Sequence, residues 1–272
     1  MLLAVLFALA TAELKKIPAG VILVKGATPS ASDRVTPLPE GGSIDATAYR
    51  NAYFGITWPL PPGWTQKYDG PPPSDSGTYV LAQLEPATPA SGVILITARD
   101  LFFAPTSGKL PDYYAVEHPE KEVRIGGHDF TRYDYMSEVA GLHWYTLSTR
   151  VRCHTLQFVF TGRDVKMLER LVASLEQMKL SAGGAPACVA DYAVNVTNKV
   201  DPVLRDNYFN PIPARIVIGA DGKVKHVHLL SAFPSQARII TEAVLQWTFK
   251  PYVQDGHPVD VETGVMFGNV RQ

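Results

Sequence analysis

The sequence has almost no cysteine, no excess charge of either sign, no long apolar run and no catalytic signature, and each lack narrows what the chain can do. Cys153 and Cys188 are the two cysteines in 272 residues. In an oxidising compartment they are permitted to pair, and the sequence leaves open either a disulfide or one half-buried thiol and one loop thiol. Lys and Arg total 25 against 26 Asp and Glu, so no overall field draws the chain to nucleic acid or to an anionic membrane surface. The uncharged opening, residues 1–12, is shorter than the ~18–20 apolar residues of a bilayer span, which argues against a stable transmembrane anchor. A Gly-x-Ser-x-Gly elbow, an HExxH helix, a P-loop and a GxGxxG turn are all missing. The expectation is therefore a protein that is not an enzyme and carries no cofactor, with an uncharacterised enzyme as the weaker alternative.

What is present suffices for packed cores: 46% of residues are hydrophobic and 19% charged, which is not the composition of a disordered chain. The length exceeds the roughly 100–200 residues usual for one domain, which favours two. Residues 1–12 close on Ala10-Thr11-Ala12, the small-x-small pattern read by signal peptidase. They are expected to be a signal peptide, and the protein periplasmic. Residues 13–48, broken by Pro18, Gly20, Gly26, Pro29, Pro37, Pro39, Gly41 and Gly42, read as a linker whose one strand candidate is Val21 to Val24. The small-residue stretch Ser181 to Ala187 marks a second boundary. Domains at 49–180 and 190–272, joined by 181–189, result.

In the first of these, β-rich runs at Tyr79 to Leu84 and Val93 to Ala98 precede a hairpin predicted at Gly126-Gly127 and a central pair, Leu142 to Arg150 and Arg152 to Phe160. Leu156, Phe158 and Phe160 share one strand face, and Cys153 is placed on the more polar one. Asp164 is a good N-cap for a helix with Leu168, Leu171, Val172 and Leu175 on one stripe. The pattern predicts an α+β fold. FGITWPLPPGW, VRIGGHDFTRYDY and LQFVFTGRDVKMLERLVASLEQMKL together resemble the PsbP/Mog1-like family. That resemblance implies an antiparallel-sheet α/β/α sandwich that docks onto other proteins, with no catalytic set.

In the second, Pro213 to Val224 reads as a hairpin turning at Asp221-Gly222, followed by a helix over Ser235 to Thr248 with Ala237, Ile240, Val244 and Trp247 on one stripe. A turn at Asp255-Gly256 leads to an alternating final strand, Val259 to Phe267. The order strand, strand, helix, strand, with ARIVIGADGKV, WTFKP and DGHPV, is similar to the C-terminal domain of TonB. The resemblance implies a ββαβ domain that adds an extended peptide as a strand beside its last strand, carried here by Val259, Val261, Thr263, Val265 and Phe267. The implied partner is an extended segment of an envelope protein, of which a TonB-dependent outer-membrane receptor is one example. A role as accessory component of TonB-dependent transmembrane transport is the alternative. The membrane-spanning start and long Pro-rich spacer of TonB have no counterpart, and the ~10-residue connector reaches at most ~35 Å. Energy transduction is therefore not carried over.

His226 and His228 lie two apart on a strand and read as surface positions rather than metal ligands, since no acidic or thiol pair completes a tetrahedral set. Trp58 and Trp64, beside a Pro-rich turn, read as core packing in preference to a docking surface. Cys153 and His154 are neighbours in sequence and are not expected to act as nucleophile and base.

Overall fold

The computed structural model describes residues 28–32, 38–39, 41–45, 47–66, 77–86, 92–103, 113–181, 184–204 and 211–268. The expected signal peptide and the strand candidate Val21 to Val24 lie outside them. In chain order the strands are β1 (Thr28–Ser32), β2 (Ser43–Ile44), β3 (Ala48–Asn51), β4 (Ile56–Pro59), β5 (Trp64–Gln66), β6 (Thr78–Pro86), β7 (Gly92–Asp100), β8 (Ala115–Ile125), β9 (His128–Ser137), β10 (Leu142–Val151) and β11 (His154–Gly162). After helix α1 (Val165–Ser174) come β12 (Lys179–Leu180), β13 (Ala187–Cys188), β14 (Val196–Asn198), β15 (Ile212–Ile218) and β16 (Val224–Ala232). Helix α2 (Pro234–Val244) precedes β17 (Thr248–Phe249), β18 (Tyr252–Gln254), β19 (His257–Val259) and β20 (Val261–Phe267). The fold is mixed α and β and mostly antiparallel sheet.

A seven-stranded sheet, in the order β5-β6-β7-β11-β10-β9-β8, builds the first core. Gly126 and Gly127, both at positive φ, reverse the chain between β8 and β9 where side chains with a Cβ are disfavoured. Ile94 and Ile96 on β7 and Leu156, Phe158 and Phe160 on β11 bury one face of this sheet. Helix α1 covers that face because Asp164 caps its first turn, accepting from the backbone of Lys166 and Met167, and because Leu168, Leu171 and Val172 point inward. The covering layer is completed by a four-stranded sheet, β12-β4-β3-β2. From it Trp58 packs edge-on to Phe158 and donates its indole N–H to Ser174 O at 3.3 Å. The sandwich implies helices on both faces; among the described residues of the first core there is a single α-helix, and this small sheet, built from the aromatic-rich chain from Tyr49 to Trp58, shares its face.

A five-stranded sheet, β1-β16-β15-β20-β13, builds the second core. Ile212, Ala214, Ile216 and Ile218 of β15 and Val227 and Leu229 of β16 face α2, which contributes Ile240 and Val244. The helix is shorter than the predicted Ser235 to Thr248. It tightens at its end through short-range bonds from Gln246 N to Ala243 O and Trp247 N to Val244 O, and Thr248–Phe249 leaves it to pair with β14. Trp247 still reaches the core and donates its indole N–H to Val200 O at 2.7 Å.

Three strands lie in stretches read as linkers: β2 pairs with β3, and the other two complete the five-stranded sheet. Thr28–Ser32 pairs antiparallel with β16, from Thr28 opposite Ala232 to Ser32 opposite His228. Ala187–Cys188 pairs in parallel with the start of β20. Neither carries the apolar alternation that marks a strand in isolation; each is held by a sheet edge already formed.

Candidate functional site

The last strand is the element from which a binding site is to be judged. It begins at Val261, not at Val259: the positive-φ pair Asp255 and Gly256 folds Tyr252–Gln254 and His257–Val259 into a separate hairpin. Asp260 then pins the chain, accepting from Ala220 N and from Lys225 Nζ. On one side β20 pairs with β15 along its whole length, from Val261 opposite Ile218 to Phe267 opposite Ile212. On the other side β13 covers it only at Val261 and Glu262. Ala187 N donates to Asp260 O at 2.8 Å and Val189 N to Glu262 O at 3.0 Å.

Because backbone groups of alternate residues point to opposite sides of an antiparallel strand, these bonds fix which residues face the outer edge. Asp260 and Glu262 do, and the alternation continues to Gly264 and Met266. The expected contact residues Val261, Thr263, Val265 and Phe267 instead turn their backbone toward β15. Their side chains lie on the core face, with Val261 and Phe267 in the core and Val265 packed against it. Among the described residues no strand pairs with Gly264 to Phe267 on the outer side. Met266 is 45% exposed there. The turn at Tyr192–Asn195 packs beside β20, and Phe102 and Phe103 lie against Gly264, where an added Cβ would come within 2.7 Å of the Phe103 ring.

The opposite face of the same sheet carries a buried charged network that joins the two cores. Arg215, in the middle of β15, donates from Nε to Asp100 Oδ2 at 3.0 Å and lies 3.4 Å from Glu262 Oε1. Its other nitrogens bond Asp100, Tyr53 OH and Tyr79 OH. Tyr53 OH donates in turn to Glu262 Oε1 at 3.2 Å. Arg152 stacks its guanidinium 4.2 Å from the Tyr53 ring and sits 3.8 Å from Glu262 Oε2. Burial alone would lower the Arg215 pKa, but Tyr53, Tyr79, Asp100 and Glu262 outweigh it and hold the guanidinium charged. Burial also raises Tyr53, keeping the phenol proton available to donate.

His154 completes the cluster in the opposite sense. It is fully buried against the ring edges of Tyr53 and Phe54, 3.9 Å from Asp100, and neither ring nitrogen has a hydrogen-bond partner among the described residues. Burial first, then Arg215, His228 and Arg152, push its pKa well below the ordinary value, so it stays neutral. His228, opposite Arg215 in the sheet, is buried as well and not on the surface, because this sheet face is covered by the first core.

Asp100 has a second role: Oδ1 accepts from Phe102 N at 2.7 Å and Phe103 N at 3.2 Å, which turns those aromatics toward β20. The ion network and the strand edge therefore share a residue. With Asp100, His154, Arg215 and Glu262 all within 2% of complete burial, no solvent-borne substrate touches the cluster in this conformation.

Cys153 and Cys188 are bonded. Cys153 sits in the tight β10–β11 turn, after Arg152 at positive φ, rather than on the strand face expected for it, and it is fully buried. Its Sγ lies 3.9 Å from Glu262 O. The bond thus ties β13 to the first core directly over β20.

The signal for the missed residues was an opposite-charge pair inside β-rich runs, Arg215 in Ala-Arg-Ile-Val-Ile and Glu262 in Val-Glu-Thr. Each reads as a solvated position until neighbouring strands bring the two together. Comparison with protein-family models and with curated proteins finds no match for the chain.

Proposed function

We propose that this is an exported, two-domain envelope protein that captures an extended segment of a partner by strand addition at the far half of β20, from Gly264 to Phe267. The single observation that carries this reading is the unequal pairing of β20, complete on the β15 side and limited to Val261 and Glu262 on the other. An incoming strand satisfies outward N–H and C=O groups at Gly264 and Met266, and the Phe102–Phe103 pair and the Tyr192–Asn195 turn give its side chains surfaces on either face. The resemblance of the 190–272 region to the TonB C-terminal domain supports the same binding mode, and that of 49–180 to the PsbP/Mog1-like family supports a scaffold role for the first domain. The disulfide supports an oxidising compartment, in keeping with export to the periplasm.

The test is fluorescence anisotropy of labelled synthetic TonB-box peptides against the full chain and a Met266→Pro variant. Proline removes an outward N–H without touching the β15 ladder, a loss of about 0.5–1.5 kcal/mol for the hydrogen bond alone, and its ring obstructs the approaching strand. Affinity should fall at least tenfold. Equal binding by both proteins would move the site away from β20. Recovery of TonB-dependent receptors in a pulldown would assign the protein to transport; recovery of other envelope proteins would make it an adaptor.

A further inference from the structure

We propose that the Cys153–Cys188 disulfide is a redox latch on the β20 edge. Closed, it holds β13 over Val261 and Glu262; opened by a dithiol reductant, it lets β13 leave and lengthens the edge offered to an incoming strand. The consequence for binding rests on the peptide-capture reading, whereas the latch itself rests on geometry.

Three observations converge on it. The capping strand is only two residues long, and the residues that lead into it, Gly184-Ala185-Pro186, have no strand propensity. Its covalent tie to Cys153 adds to the packing of Ala187 and Val189 on the second core and to the bond from Thr263 Oγ1 to Ala190 O. The two cysteines also differ in exposure: Cys188 as a residue is exposed and Cys153 is fully buried. An open cleft of about 190 Å³, lined by Tyr53, Val151, Arg152, Gly184 and Ala185, lies beside the chain neighbour of Cys153 and the residues that lead into β13. Finally, the strand that the latch holds is the one that covers Glu262, whose outward backbone groups continue the row formed by Gly264 and Met266. Release extends the open edge by one full repeat, from Gly264 and Met266 to Glu262, Gly264 and Met266.

The exchange follows from the exposures. A thiolate of the reductant attacks Cys188 Sγ, the bond to Cys153 breaks, and Cys153 leaves as a thiolate that takes up a proton. The reductant's second thiol attacks its own sulfur in the mixed disulfide, Cys188 leaves and is protonated, and the reductant departs as a disulfide. Two electrons and two protons pass to the protein. Attack at Cys188 is favoured over attack at Cys153 because only the former meets solvent.

The experiment compares full-length oxidised protein, protein reduced with dithiothreitol, and reduced protein re-oxidised, by hydrogen exchange resolved to single amides. In the reduced form the amides of Val189 and Glu262 should exchange at least tenfold faster, those of Thr263 and Val265 should keep their protection, and re-oxidation should restore the first pair. Unchanged protection at Val189 and Glu262 overturns the latch. Loss of protection at Thr263 and Val265 together with them also overturns it, since the bond would then be holding the fold and not the edge. A Cys153→Ser/Cys188→Ser variant should reproduce the reduced pattern without reductant. In a parallel titration, the synthetic TonB-box peptide should bind the reduced form at least tenfold more tightly. Equal affinity for both forms would sever the latch from binding. Faster exchange with no peptide bound by either form would refute peptide capture and leave the latch standing.

Discussion

Replacing Arg215 by Met is the sharpest probe of how the two cores are joined. Met keeps the length and much of the volume of the side chain, so packing loss is small, while the charge that faces Asp100 and Glu262 disappears. Both carboxylates stay buried, each at 2% exposure or less; Asp100 is left with the Tyr79 phenol and no cation, and Glu262 keeps only Arg152, 3.8 Å from its Oε2. Breaking one side of a buried ion network costs about 3–5 kcal/mol. With a urea m-value of about 3 kcal/mol/M, the unfolding midpoint, followed by tryptophan fluorescence at pH 7, should fall by about 1–1.7 M. The companion variant Arg215→Met/Asp100→Asn/Glu262→Gln removes the stranded charges and keeps the acceptor that Asp100 offers to Phe102 N and Phe103 N. It should recover part of the loss, because no carboxylate is left buried without a partner, while Arg152, which loses Glu262, keeps 15% of its side chain exposed. A fall smaller than about 0.3 M for the single variant, equivalent to about 1 kcal/mol, would refute the claim that Arg215 holds the two cores together. So would a triple variant no more stable than the single one.

His154 stays neutral in the folded state while it takes up a proton near pH 6.5 in the unfolded one. Its depressed pKa therefore contributes stability that is present above pH ~6.5 and is lost as pH falls, at up to about 1.4 kcal/mol per pH unit. Urea midpoints between pH 6.5 and pH 5 should show this slope, and His154→Leu should flatten it; an unchanged slope would place the titration elsewhere. Gly222 has φ near +80°, and an added Cβ would sit 2.3 Å from Phe249 O. Gly222→Ala should cost more than about 2 kcal/mol. Gly127→Ala, at a similar φ with open space around it, should cost about 1 kcal/mol, and thermal unfolding that ranks the two the other way would contradict the geometry.

Local chemistry was legible where a residue acts on its own neighbours. Asp164 caps α1 because its carboxylate reaches two amides within three residues, and Gly126-Gly127 turns a hairpin because the chain itself needs positive φ there. The order of β15, β16, α2 and β20 follows from periodicity for the same reason. What escaped is what depends on distant partners. Thr28–Ser32 and Ala187–Cys188 become strands only because β16 and β20 present edges to them. The strand was legible as Val259 to Phe267, but which alternate residues turn their backbone outward, here Glu262, Gly264 and Met266, depends on the pairing with β15 and β13. His228 reads as a surface position because alternation says which residues share a face and not what covers it.

The sheet edges make a further argument for β20. An open strand edge invites unwanted pairing, and folded chains suppress it by charge, proline, bulges or brevity. β8, the long edge of the seven-stranded sheet, carries Pro119 with Glu117, Glu120, Lys121 and Glu122 and has two register shifts. At the other end of that sheet β5 has three residues, and the four-stranded sheet ends in β12 and β2 with two residues each. In the five-stranded sheet β1 covers β16. The far half of β20 uses none of these devices: Gly264-Val265-Met266-Phe267 has no charge, no proline and no bulge against β15. Among the described residues, this uncharged stretch of outward-facing backbone is where the proposed pairing would take place. Lysine introduced at Met266 would supply the missing guard. Met266→Lys should therefore weaken peptide capture while leaving the urea midpoint of the free protein within about 0.2 M, since the side chain already reaches solvent and a surface substitution costs about 0.5 kcal/mol or less. A large drop in stability with binding intact would show that this edge is structural and closed.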